Sequence, residues 1–189
     1  MSACAGLKPQ PPDVADWNDR LTTLQGLDDW TLNARVAFAT AEDGWNGSLT
    51  WRQEREDLDL SFRGPLGVGG LRIQGHPGEL KVRTAKGEEL LVSDPEVELH
   101  REFGWTLPIT SMRYWMLGVP DPGAEPRELV HEAGLLQQLN QRGWRVSYDS
   151  YREYEGSILP RKLVMENDEV RIRMAVSRWR FHDRDVPQR

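Results

Sequence analysis

Trp30-Thr-Leu-Asn-Ala-Arg-Val-Ala-Phe38 is the stretch that decides the fold. From Trp30 onward its apolar residues fall at every second position, with Leu32, Ala34, Val36 and Phe38 set against Asn33, Arg35 and Ala37. A period of two is the signature of a strand with one greasy and one wet face. The same period continues outward. Trp45, Gly47, Leu49 and Trp51 alternate with Asn46, Ser48, Thr50 and Arg52, and Leu58, Leu60 and Phe62 with Asp57, Asp59, Ser61 and Arg63. Leu71 and Ile73, Leu80 and Val82, and Leu90 and Val92 follow. Asp43-Gly44, Pro77-Gly78 and Lys86-Gly87 are turn dipeptides between the runs. Short strands joined by tight turns make an antiparallel meander, apolar on one side.

Upstream, Asp13 is suited to cap a helix whose Val14, Trp17, Leu21 and Leu24 share a stripe, with Gly26 at its end. Downstream, the pattern breaks between residues 94 and 130. Asp94-Pro95 starts a helix with a weak stripe of Val97, Leu99 and Phe103, stopped by Gly104. A second helix begins at Thr110 or Ser111 and ends at Gly118, before Pro120. Its body, Met112 to Leu117, is apolar almost all round, so it is either covered on both sides in a core or faces something greasy. Residues 119–130 read as a polar loop. Strands then resume, with Leu135, Gln137 and Leu139 on one face, then Trp144, Val146 and Tyr148, then Leu163 and Met165. Val170, Ile172, Met174 and Val176 close the series, ending at Trp179. The expectation is a mainly β protein of about ten or eleven strands in two blocks, with helices between them. So large a sheet with one apolar face must curl. The expected form is an incompletely closed antiparallel barrel with a helical lid over an apolar cavity sized for acyl chains. Residues 13–181 form one domain, 1–12 a tether and linker, and 182–189 a tail.

The chain has 189 residues and a net charge of −6, an acidic balance that argues against nucleic acid as a partner. No run approaches the ~20 apolar residues of a spanning helix. One cysteine leaves no internal disulfide and no thiolate metal cluster. His76, His100, His131 and His182 are scattered without metal-ligand spacing, and no catalytic or phosphate-loop motif occurs. The chain is therefore expected to be neither an enzyme nor a cofactor protein. Eight of its sixteen aromatic residues are Trp, which suits a wide interior or a lipid-facing surface, and equally a core built from large residues.

Two local features point toward lipid. Ser2-Ala3-Cys4-Ala5 matches the end of a bacterial lipoprotein signal, and Pro9, Pro11 and Pro12 make an extended spacer behind it. No apolar segment precedes Met1, so the signal is expected to have been removed. The other reading of Cys4 is an incidental thiol in a terminus. Residues 64–71 contain no charge and place Leu66, Val68 and Leu71 among glycines, whereas turns are normally polar. Either Leu66 folds back onto the core, or the loop is an apolar finger that dips into a bilayer.

Together, W-T-L-N-A-R-V-A-F (30–38), S-L-T-W-R-Q (48–53), G-P-L-G (64–67), L-P-I-T-S-M-R-Y-W-M-L-G (107–118) and G-W-R-V-S-Y (143–148) resemble the LolB family of Gram-negative outer-membrane lipoprotein receptors, from Cys4 to about Trp179. That resemblance implies a monomeric receptor on the periplasmic face of the outer membrane. It would take acylated lipoproteins from a LolA-type carrier and insert them into the inner leaflet. It implies lipidation at Cys4 and a membrane-insertion loop of Pro65, Leu66 and Val68. Trp51, Trp144, Phe38 and Leu49 are then expected to line the acyl cavity, with Met112, Trp115 and Met116 as a soft lid. The alternative is a soluble periplasmic carrier of the LolA kind on the same fold.

Overall fold

The alternation that begins at Trp30 is realised as β1 (Asp29–Ala39), and the later runs become β2 (Gly44–Glu54), β3 (Asp57–Arg63), β4 (Gly70–His76), β5 (Glu79–Thr84) and β6 (Glu89–Val92). The second block comprises β7 (Glu128–Glu132), β8 (Leu135–Gln141), β9 (Trp144–Tyr154), β10 (Ser157–Glu166) and β11 (Arg171–Phe181). The computed structural model describes residues 16–65, 69–93, 97, 100–101 and 106–182. All eleven strands form one sheet in the order β6-β5-β4-β3-β2-β1-β11-β10-β9-β8-β7. Each meander is antiparallel throughout, and the first and last strands of the chain join them, from Trp30 opposite Phe181 to Ala39 opposite Arg171. The outermost strands β6 and β7 do not pair with each other, so the barrel is incompletely closed. The inward residues of both meanders meet in one core.

Helix α1 spans Trp17–Gln25, and its cap is Asp16, which accepts the Asn18 N–H at 2.9 Å. The expected cap, Asp13, lies outside the described residues. Helix α2 spans Ile109–Leu117 and ends at Gly118, whose left-handed φ of +80° only glycine adopts readily. A Cβ there would also meet the Pro160 ring at 3.0 Å, so glycine suits both the backbone and the packing. Of the helix expected from Asp94-Pro95, Val97, His100 and Arg101 are described; all three are helical and exposed. Helices α1 and α2 lie close together, and the Gln25 side chain of α1 donates to the Pro120 carbonyl just after α2 at 2.9 Å. The Arg113 guanidinium of α2 donates to the Arg55 carbonyl in the β2–β3 turn at 3.2 Å.

The structure departs from simple alternation in several places, among them the β9–β10 pairing, which skips Arg161 and Asp149 on either side of Lys162. The segment expected to be a polar loop up to residue 130 contains the start of β7. This is an edge strand that turns only Leu129 toward the core, so it carries little hydrophobic period. In β8, Leu136 and Leu139 are the deeply buried residues, not the expected Leu135, Gln137 and Leu139 series. A register shift beside His131, where the pairing jumps from Gln138 to Leu136, places the extra residue at Gln137. In β11, the pairing skips Ser177 between Val176 and Arg178, which brings Trp179 back to the inner face. The Ser177 hydroxyl donates to the Asn33 carbonyl at 3.1 Å and occupies the irregularity.

Gly47 sits among inward positions where any side chain would collide. A Cβ there would lie 2.2 Å from the Arg63 carbonyl oxygen and 2.8 Å from the Phe62 ring. Gly47→Ala is expected to lower stability by about 3 kcal/mol through overpacking, read as a lower urea midpoint. An unchanged midpoint would contradict the close approach of β2 and β3.

Candidate functional site

The middle of the barrel is filled by aromatic rings. Trp30, on β1, packs against Trp51 on β2 (5.5 Å between centroids) and edge-on against Trp179 on β11 (5.0 Å, 66°). Trp51 also donates its indole N–H to the buried Gln53 side chain at 3.2 Å, and Gln53 in turn donates to the Arg55 and Asp57 carbonyls of the β2–β3 turn. Leu49, Trp144 and Met112 are buried in the same cluster, with Trp144 6.3 Å from Trp115. Trp51, Trp115 and Met116 keep no surface that water could touch. At this level the residues expected to line and lid a hollow are packed against one another. The reason is that α2 lays its Met112, Trp115, Met116 and Leu117 onto the sheet.

A polar clamp that sequence reasoning missed holds α2 there. Gln141, 1% exposed, accepts the Trp115 indole N–H at 2.8 Å and the Asp121 backbone N–H at 2.9 Å. Its amide donates to the carbonyls of Asp121 and Ala124 at 2.8 and 2.5 Å. The Asp121 carboxylate accepts from the Ser111 hydroxyl (2.6 Å), the Gly123 N–H (2.8 Å) and the Arg142 guanidinium (3.0 Å). One glutamine and one aspartate thereby tie α2, the segment after it and the β8–β9 turn together.

In the first meander, the end that carries the β1–β2, β3–β4 and β5–β6 turns keeps its inner face accessible. Phe38, Phe62 and Leu71 are half-buried. Trp45, on the inward register of β2, is 46% exposed and stacks on Phe38, its cross-strand partner, at 5.0 Å. Pro65 is exposed at the β3–β4 turn between Phe62 and Leu71. Leu66 and Val68, the expected finger, and Cys4 lie outside the described residues. The structure therefore divides the residues expected to line and lid the cavity: Trp51, Trp144, Leu49, Met112, Trp115 and Met116 lie in the packed core, whereas Phe38 stands at an apolar rim, near Pro65 of the expected insertion loop. Trp45 belongs to that rim; its place at the end of an alternating run was the available signal.

Arg20 of α1 is the unusual ionisable group. It is 7% exposed, its Nε and Nη2 have no hydrogen-bond partner, and its guanidinium lies 5.8 Å from the Tyr151 ring. Burial pulls its pKa below the ordinary arginine value. Burial also holds the phenols of Tyr148 and Tyr151 well above the usual tyrosine value, an effect that Arg20 partly offsets. Tyr148 donates to the Trp115 carbonyl at 2.9 Å and Tyr151 to the Leu136 carbonyl at 2.6 Å, so both must be protonated in the fold. Among the described residues no helix is long and apolar enough to cross a membrane, and no group of His, Cys, Asp and Glu could hold a metal ion.

Two outcomes follow from these contacts. Gln141→Leu strands the Trp115 and Asp121 donors and is expected to cost about 3 kcal/mol, with a shift in tryptophan emission that reports release of α2. The raised phenol pKa values mean that the folded state holds protons the unfolded chain gives up. Stability is then full below about pH 10 and lost as pH rises past it toward the folded values. Urea midpoints measured from pH 8 to 11 should show that fall, shallower in Tyr151→Phe.

Comparison with known proteins matches this architecture. The family model described as "Outer membrane lipoprotein LolB" matches residues 28–179. The chain is 32% identical over 186 residues to an outer-membrane lipoprotein LolB of Nitrosococcus oceani, covering 96% of this chain and 92% of that one. It is 34% identical over 182 residues to that of Alkalilimnicola ehrlichii, covering 95% and 90%. Among solved structures, a LolA superfamily protein from Nitrosomonas europaea superposes with a TM-score of 0.55 at 10% identity, over 90% of this chain and 96% of that one. A DUF1329 family protein from Desulfovibrio piger gives 0.57 at 9% identity, over 92% of each, and these two likenesses bear on the fold alone. With the match running through both meanders and α2, the chain belongs to the LolB family of outer-membrane lipoproteins.

Proposed function

We propose that this chain is a lipoprotein receptor anchored through Cys4 to the outer membrane, taking acylated cargo from a LolA-type carrier and passing it into the facing leaflet. The family match supports receptor over soluble carrier. The observation that carries the mechanism is the apolar rim: Phe38 and Trp45 stacked on one strand pair, with Phe62, Pro65 and Leu71 beside the loop that holds Leu66. Each acyl CH₂ left in water costs about 0.8 kcal/mol. Three chains would cost tens of kcal/mol, so cargo moves only between surfaces already in apolar contact. The rim offers such a surface to a carrier's mouth and to a bilayer alike. Tails entering there reach Leu49, Trp51 and Trp144 when α2 yields, with Met112 and Met116 adapting to irregular chains. No nucleotide and no bond chemistry is needed, since a difference of ~1.4 kcal/mol between successive sites shifts occupancy tenfold.

The test separates uptake from delivery. Leu66→Glu is expected to accept acylated cargo from the carrier normally but to deliver it to vesicles at least tenfold more slowly, followed by sedimentation of labelled cargo. Delivery at the normal rate would overturn the role given to the loop. Failure of uptake in the wild-type chain would overturn the receptor reading itself.

A further inference from the structure

We propose that Arg35, Lys162 and Arg173 form a phosphate-binding cradle on the outer wall of the barrel, which takes the headgroup of an anionic phospholipid while the rim touches the bilayer. The strand register builds the cradle. Ala175 on β11 lies opposite Arg35 on β1 and opposite Lys162 on β10, so one alanine has a cation on each side. Arg173, two residues along β11 on the same outward face, lies between Ala37 and Val164. Three cations thus surround a floor of small residues. From strand geometry, Arg35 and Lys162 are two strand spacings apart, about 10 Å between backbones, and Arg173 is about 7 Å along the strand.

A depression of about 440 Å³ occupies this spot, lined by these residues together with Asn46 and Asp149. Arg35, Lys162 and Arg173 are exposed and have no hydrogen bond or ion pair among the described residues. Several other cations of the outer wall are matched, Arg72 with Asp59, Lys81 and Arg83 with Glu89, and Arg171 with Glu166; Arg178 and Arg180, farther along β11, are exposed without an ion pair among the described residues but do not line the depression. In a chain of net charge −6, three unmatched cations against the single carboxylate of Asp149 stand out as a local positive site. Open access and small side chains beneath favour a compact anion with several acceptor oxygens.

Position selects the source of that anion. Arg173 lies two residues in from the strand end at Ala39 and Arg171, on the rim side that carries Phe38 and Trp45. That is about 7 Å from the end of the strand. An apolar rim seated about 5–10 Å into the headgroup boundary would bring phosphates level with the cradle. This placement rests on the receptor reading only in so far as that reading puts the rim against a bilayer.

The experiment is sedimentation of the full chain with phosphatidylethanolamine vesicles, with and without phosphatidylglycerol, at low and high salt. Two triple variants each remove three positive charges: Arg35→Gln/Lys162→Gln/Arg173→Gln, and a control, Arg52→Gln/Lys81→Gln/Arg83→Gln, taken from cations already in ion pairs. Thermal melting establishes that both fold. At roughly fivefold per cation near an anionic surface, the cradle variant is expected to lose about 100-fold in affinity for the anionic vesicles and nothing for the neutral ones, with the control close to wild type. Equal losses in both variants, or none in the cradle variant, would overturn the proposal. Competition by glycerol phosphate without any preference for anionic vesicles would assign the cradle to a soluble phosphate and overturn the membrane role. Cargo delivery into neutral vesicles, run in parallel, probes the receptor reading alone and should be unchanged in the cradle variant.

Discussion

Everything in this molecule depends on the pairing of its first strand with its last. Each meander is local and could propagate by neighbouring hairpins, but each has only one wall. The β1–β11 ladder turns two walls into a barrel, and the rings of Trp30, Trp51 and Trp179 meet across that seam. Each indole buries a large apolar area, and aromatic pairs at these separations add roughly 0.5–1.5 kcal/mol beyond burial. The contacts are also distant in sequence, so the ordering entropy of nearly the whole chain is spent before the seam closes. A barrel joined this way folds late at its centre, and its open edge, between β6 and β7, is the edge farthest from that seam.

That open edge explains why α2 needs a polar clamp. α2 lies between the two meanders with no side-chain cap at its start. Apolar packing alone has no direction, whereas the Gln141 and Asp121 network fixes one arrangement, because each buried donor and acceptor is matched by a specific partner. A helix held by a discrete polar network through Ser111 and Trp115, and by adaptable methionines along its body, can move as a unit. A helix packed by close-fitting rings on all sides could not.

Period two made the sheet legible because a half-buried strand must alternate. Where a strand bulges or runs along an edge, the reason for alternation disappears, and so does the signal, as at Gln137, Ser177, Arg161 and β7. The helix stops were legible in Gly26 and Gly118, since a stop is local backbone chemistry. Gln53, Gln141 and Arg20 were not, because a buried polar residue looks like a surface one until its partners, distant in sequence, are known. The residues expected to handle lipid were partly legible. Their apolar character was evident, but which of them face one another and which remain at the rim is decided by α2, whose docking no periodicity encodes.

The packed core bears directly on the direction of transfer. On the receptor reading, acyl chains compete with the protein's own rings for the same volume. If the open, binding-competent form is a fraction of the population, the apparent affinity for cargo falls by that fraction. Closure therefore drives release toward the bilayer without an energy source. The closed form is not perfectly satisfied either: the indole N–H groups of Trp30 and Trp179 and two guanidinium nitrogens of Arg20 are buried without acceptors. Each such group costs roughly 1–3 kcal/mol, which offsets part of the gain from ring packing. On the receptor reading, a core whose closure gains less is easier for a ligand with many methylenes to open.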